Sequence, residues 1–179
     1  MNTAKRLVVF ATSITCLGVL APALAQNPRT DQHPADSAPL DQIAFVHGGT
    51  GPFAVAGYRI GERALKEMKL PRGTFTLDVV HKTPKEVQFS CVADGVQAAT
   101  GVSIGKLNLR LEDAAPDAVE TIIRDRKSGQ ILAFRLKPEF VKRYWNLPHD
   151  KLASAGKEVL SLKDDEIFSV SQPPHTPAS

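Results

Sequence analysis

The chain has 179 residues, of which 42% are hydrophobic and 23% charged, with a formal net charge of +3 at pH 7. That length and composition suit one domain with a real core. A charge so small, with no long basic run, gives no electrostatic case for a nucleic-acid partner.

At the amino end, Lys5 and Arg6 precede an apolar run from Leu7 to Leu20, and Ala23-Leu24-Ala25 follows as a small-residue cleavage site. This order predicts a secretory signal peptide over residues 1–25. The run is short for a membrane span, so no span is expected after cleavage and the expected location is periplasmic or secreted. Removal of residues 1–25 leaves 154 of the 179 residues, and loss of Lys5 and Arg6 lowers the formal charge from +3 to +1. Cys16 leaves as well. Cys91 then stands alone in an oxidising compartment and has no partner for an internal disulfide.

Residues 26–40, with Pro28, Pro34 and Pro39 among polar side chains, read as a flexible lead-in. Residues 172–179, with three prolines, read as a disordered tail. The folded domain is expected over residues 41–171.

Pro52 marks a helix start, and Phe53, Gly57, Ile60, Ala64 and Met68 recur at helical spacing up to Pro71. Gly57 and Gly61 cost helix stability, so close approach of another backbone is expected there. Phe75, Leu77 and Val79 alternate with polar residues and predict a strand. Ser90 is the expected N-cap of a second helix with Val92, Val96 and Ala99 on its apolar stripe, closing at Gly101. Strands follow at Leu107–Leu111, Ala118–Asp125 and Ile131–Leu136, the last pair joined by a turn at Lys127-Ser128-Gly129. Two helices, Pro138–Tyr144 and about Asp150–Leu160, form the expected helical C-terminal extension. The predicted fold class is α+β, an α-β-α-β-β-β core whose mixed sheet is covered by helices.

Cys91-Val-Ala-Asp94-Gly-Val-Gln97, Thr100-Gly101 and Gly105-Lys106-Leu-Asn108-Leu, with the closing Asp164–Val170 segment, resemble blocks of the FmdE family, named for a component of formylmethanofuran dehydrogenase. The resemblance spans most of residues 41–171. It implies a metal or metal-bearing cofactor site with a transition metal such as zinc, and an unpaired Cys91 at a site short of ligands adds the expectation of a homodimer. Family members commonly read His-Gly-His-x-Cys-Pro-Gly at the first block. Here His47 and Gly48 match, but Gly49 stands for the second His, Gly51 for the Cys, and Phe53 for the Gly after Pro52.

The remaining metal-ligand candidates are His47, Cys91 and Asp94, with Gly48, Gly49, Thr50, Gln97, Thr100 and Lys106 as ligand-binding or site-lining positions. Three donors are too few for a closed structural zinc centre but suit an open one. His81 is a further candidate whose strand position leaves its direction open. A Cys at the first turn of a helix feels the positive end of the dipole, which favours the thiolate. Asp94, one turn on, suits a ligand or a group orienting one.

Three functions stay in view. The first is metal or metal-cofactor binding for delivery or sensing, the second an enzyme using Cys91 with His47 as base, and the third a scaffold that lost its site. The run Gly101 to Lys106 departs from the Walker pattern, with three residues between its glycines and Leu107 after the Lys, so it reads as a turn.

Overall fold

A computed structural model of the chain describes residues 38–173. The expected signal peptide, most of the lead-in and the last six residues lie outside the described residues. No described helix is long and apolar enough to cross a membrane.

The first helix, α1, runs Pro39–His47 and begins inside the segment expected to be a lead-in. Its proline sits at the start, where the missing N–H costs nothing, and Ile43 is fully buried while Leu40 and Val46 pack partly. The surrounding prolines hid this short stripe. Helix α2, Pro52–Met68, starts at the expected proline and buries most of its length, from Phe53 through Val55 and Ile60 to Met68. It packs between α3, Val87–Thr100, and α5, His149–Ser161.

The close approach expected at the glycines is present on both helices. A Cβ at Gly57 would lie 2.0 Å from the Val92 carbonyl oxygen, and one at Gly95 would lie 1.9 Å from that of Ala54. Gly61 faces the Ala99 side chain in the same seam. The two backbones touch because neither partner carries a side chain at the crossing.

The sheet has five strands in the order β2-β1-β3-β4-β5. Strand β1, Leu77–Thr83, pairs in parallel with β2, Leu109–Asp113, across the crossover made by α3. Strands β3, Glu120–Asp125, and β4, Ile131–Leu136, form the expected hairpin and pair antiparallel, and β3 also pairs antiparallel with β1. Asp125 builds the hairpin turn by accepting from the Ser128 hydroxyl at 2.6 Å and the Ser128 amide at 3.0 Å. The sheet is mixed, as predicted, and residues alternating along β1 bury Leu77, Val79 and His81 under the helices.

Two boundaries differ from expectation for one physical reason, exposure. Phe75 is 68% exposed and precedes β1, while Leu107 is 88% exposed in a left-handed turn at φ 55° ahead of β2. The C-terminal extension contains the expected α4, Pro138–Tyr144, and α5. It then makes a single turn, α6, Asp164–Ile167, and returns to the sheet as β5, Phe168–Ser171, antiparallel to β4. Arg59 of α2 ties this end down, donating to the Val159, Leu160 and Leu162 carbonyls at 3.3, 2.8 and 2.8 Å and to Asp164 at 2.7 Å.

Candidate functional site

His47 is the last residue of α1. Gly48 closes the helix at φ 82°, its amide donating to the Ala44 carbonyl at 2.8 Å, a left-handed conformation that favours glycine. That termination aims the chain at α3. Along α3, Val92 and Ala93 are buried against α2, whereas Cys91, Asp94 and Gln97 form a half-buried stripe at one-turn spacing.

The two elements meet there. His47 Nδ1–H donates to the Asp94 carboxylate at 2.8 Å, and the Cys91 thiol is within hydrogen-bonding reach of the same imidazole. The bond to Asp94 and then the one to Cys91 raise the His47 pKa from 6.5 to about 10, against the opposing effect of burial. The side chain of His47 is 21% exposed and that of Asp94 45%, so the cluster opens to solvent on one side.

Cys91 is not at the first turn of its helix. Glu86 is the N-cap, α3 begins at Val87, and the expected cap Ser90 instead donates its hydroxyl to the Val87 carbonyl at 3.0 Å. Cys91 is therefore the fifth helical residue, beyond the short range over which the helix terminus favours a thiolate.

His81 lies apart from this cluster. It is 1% exposed, with Nε2 at 3.0 Å from the Phe89 carbonyl and Nδ1 at 2.9 Å from the Thr121 hydroxyl. A carbonyl can only accept, so Nε2 carries the proton and Nδ1 accepts from Thr121. Burial lowers its pKa, outweighing the Phe89 bond, and keeps the ring neutral. His81 thus pins the start of α3 to the sheet, two residues before Cys91, and holds no free nitrogen for a metal.

The other expected site positions divide along α3. Gly48, Gly49 and Thr50 follow His47 directly, and Gln97 continues the Cys91–Asp94 stripe. Thr50 is also a packing residue, its carbonyl oxygen lying where a Cβ on Gly156 would be, at 1.7 Å. Thr100 and Lys106 belong to the far end of the helix, Thr100 about 13 Å along the axis from Cys91 at about 1.5 Å per residue. Thr100 is fully buried and donates to the Val96 carbonyl at 2.7 Å. Lys106 donates to the Gly101 carbonyl at 2.8 Å and lies over the Phe75 ring. Both are turn-building residues.

Among the described residues no group of three or more His, Cys, Asp or Glu side chains is arranged to hold a metal ion. The geometry explains this. Asp94 Oδ2 and His47 Nδ1 are spent on each other, leaving as donors Cys91 Sγ and the second imidazole nitrogen, the latter only once its proton is displaced. Two donors do not fit a closed tetrahedral zinc centre. They do fit an open site whose histidine is oriented by a carboxylate. A Cβ at Gly49 or Gly51 meets nothing within 4 Å, so there is room for the two side chains that family members carry there.

A search of curated proteins finds no match. Among solved structures, the chain is similar to the crystal structure of a tungsten formylmethanofuran dehydrogenase FmdE-like protein from Syntrophus aciditrophicus. Identity is 21% over 77% of this chain and 71% of that one, with a TM-score of 0.49. The family described as "FmdE, Molybdenum formylmethanofuran dehydrogenase operon" matches residues 46–169, a span that opens one residue before His47, takes in Cys91 and Asp94, and closes in β5. On that match the chain belongs to the FmdE family.

Proposed function

We propose that this protein acts after export, in the periplasm or outside the cell, as a metal- or metal-cofactor-binding protein that delivers or senses its cargo. Cys91 and His47 are the ligands in this reading. Asp94 orients the imidazole, and Gly48, Gly49, Thr50 and Gln97 border the opening. The observation that carries it is the convergence of an imidazole, a thiol and a carboxylate from two separate helices on a half-open surface. Solvent, the bound molecule or a second copy of the chain completes the coordination, which suits cargo that must enter and leave.

Elemental analysis of protein purified natively from its own compartment, beside a Cys91→Ser variant, tests this reading. Stoichiometric metal in the parent and its loss in the variant, at an unchanged thermal midpoint, is the expected result, because only the soft thiolate is removed. A variant with unaltered metal content and a stability lowered by about 1–3 kcal/mol makes Cys91 a buried hydrophobe and leaves the scaffold reading.

The same geometry favours one second reading, a thiol-dependent enzyme with Cys91 as nucleophile, His47 as its base and Asp94 as orienting group. Metal-free parent protein that is alkylated rapidly at Cys91, with the rate falling in His47→Ala, selects this reading over metal binding.

A further inference from the structure

A second feature lies at the start of α3. Phe89 and Cys91, two residues apart, point to roughly opposite sides of the helix. On the Phe89 side is a groove of about 900 Å³, toward the upper end of the range for small-molecule sites. Its floor is apolar. The Phe89 and Trp145 rings lie 4.9 Å apart at 36°, and Val119, Leu136 and Val141 continue the surface.

The lining carries both signs of charge. Glu86 and Asp117 come from the segments before α3 and β3, and Lys137 and Lys142 come from α4 and its N-cap. None of these four side chains forms an ion pair among the described residues. Arg135, also in the lining, is by contrast held by Glu120 at 2.9 Å. The groove therefore keeps unpaired charge of both signs beside its aromatic residues.

We propose that this groove binds a small apolar zwitterion, in its simplest form a short peptide of aliphatic or aromatic residues with both ends free. The ammonium group meets Glu86 and Asp117, the carboxylate meets Lys137 and Lys142, and the apolar body lies on Phe89 and Trp145. A purely apolar ligand leaves the charges of both signs unused, and a simple anion meets Glu86 and Asp117 at a cost. The site is separate from the His47–Cys91 cluster and does not depend on how that cluster is read.

Trp145 is the only tryptophan of the chain, so its emission reports occupancy directly. The test titrates the full chain with leucyl-phenylalanine, its N-acetyl form, its C-terminal amide and the doubly blocked form. The expected result is saturable change with the free dipeptide and about 1.5- to fivefold weaker binding for each blocked end, the range of an exposed ion pair. Glu86→Gln with Asp117→Asn should become indifferent to acetylation, and Lys137→Gln with Lys142→Gln indifferent to amidation. The side chains of the two cap residues, Glu86 and Lys137, make no capping bond, so the variants should fold as the parent does. Equal affinity for free and doubly blocked peptide overturns the proposal in favour of apolar docking alone. No emission change at millimolar peptide overturns it too, including the case of a groove filled by the chain's own termini. Tighter binding of a longer peptide with neither end free also overturns it and assigns the surface to a protein partner.

Discussion

His47 and His81 show how surroundings decide what one kind of side chain does. His47, partly exposed between Asp94 and Cys91, has its charged form stabilised. His81, sealed between a carbonyl and a hydroxyl, has its charged form expelled. Because its folded pKa lies below the ordinary value of 6.5, the contribution of His81 to stability is full above about pH 6.5 and is lost as the pH falls below it. The unfolded chain takes up the proton that the folded chain refuses. Thermal midpoints should therefore fall between about pH 6.5 and 5, and the His81→Gln variant should lose that slope while starting from a lower midpoint. An unchanged slope in the variant assigns the acid sensitivity to another group. Gly49 and Gly51 allow the opposite kind of experiment, a gain. Gly51 has φ −64° and ψ 156°, which any residue adopts, and both positions open to free space. The Gly49→His, Gly51→Cys double variant should fold like the parent and raise zinc content toward one per chain, read by elemental analysis, since it brings the donors to four. A folded double variant with no more zinc than the parent shows that these positions do not point into the Cys91–His47 opening.

At the scale of elements, the α2–α3 crossing fixes the relation between Cys91 and the rest of the fold. Gly57→Ala and Gly95→Ala each drive a methyl into carbonyl oxygen at 2.0 and 1.9 Å, contacts that only a backbone shift can relieve. Each should cost more than about 2 kcal/mol, whereas Gly49→Ala, in open space, should change stability by less than about 0.5 kcal/mol. Chemical denaturation measures all three, and a mild Gly95→Ala would mean the helices can separate without penalty. This crossing was legible in the sequence because a glycine in a strongly amphipathic helix is a cost with no local return. The β3–β4 hairpin and α4 were legible for related reasons, a turn residue set between alternating runs and a proline at a helix start. What stayed hidden depended on distant partners. Nothing in Pro39–His47 alone separates a nine-residue helix from a proline-rich lead-in, since its stripe has meaning only once α3 is beside it. Strand β5 is four residues long and is specified by the free edge of β4. Of the candidate cluster, the residue types and spacing on α3 were visible in the sequence, but the His47–Asp94 bond follows from how α1 ends at Gly48.

For the whole molecule, assembly turns on which surfaces are apolar and exposed. Val87 is 78% exposed and stands one turn before Cys91 on the same stripe of α3, while Phe45 on neighbouring α1 is 79% exposed. A second apolar patch, Ile104 with Leu107, lies at the far end of α3. Two-fold association apposes the same patch from each copy, so a contact through the Val87 end places two half-open Cys91 sites near one another, and a contact through Leu107 does not. Only the first arrangement can supply ligands in trans to a site that holds two donors of its own. The expected outcome is a dimer in sedimentation velocity at high micromolar concentration, reinforced by zinc because the metal binds the assembled form more tightly than the separate chains. Phe45→Glu with Val87→Glu should return the protein to monomer and weaken zinc binding together, and Ile104→Ser with Leu107→Ser should leave both unchanged. A dimer that survives the first pair and dissociates with the second moves the interface to the other end of α3. Monomer alone, with and without zinc, removes the second chain as a source of ligands for the proposed Cys91–His47 site.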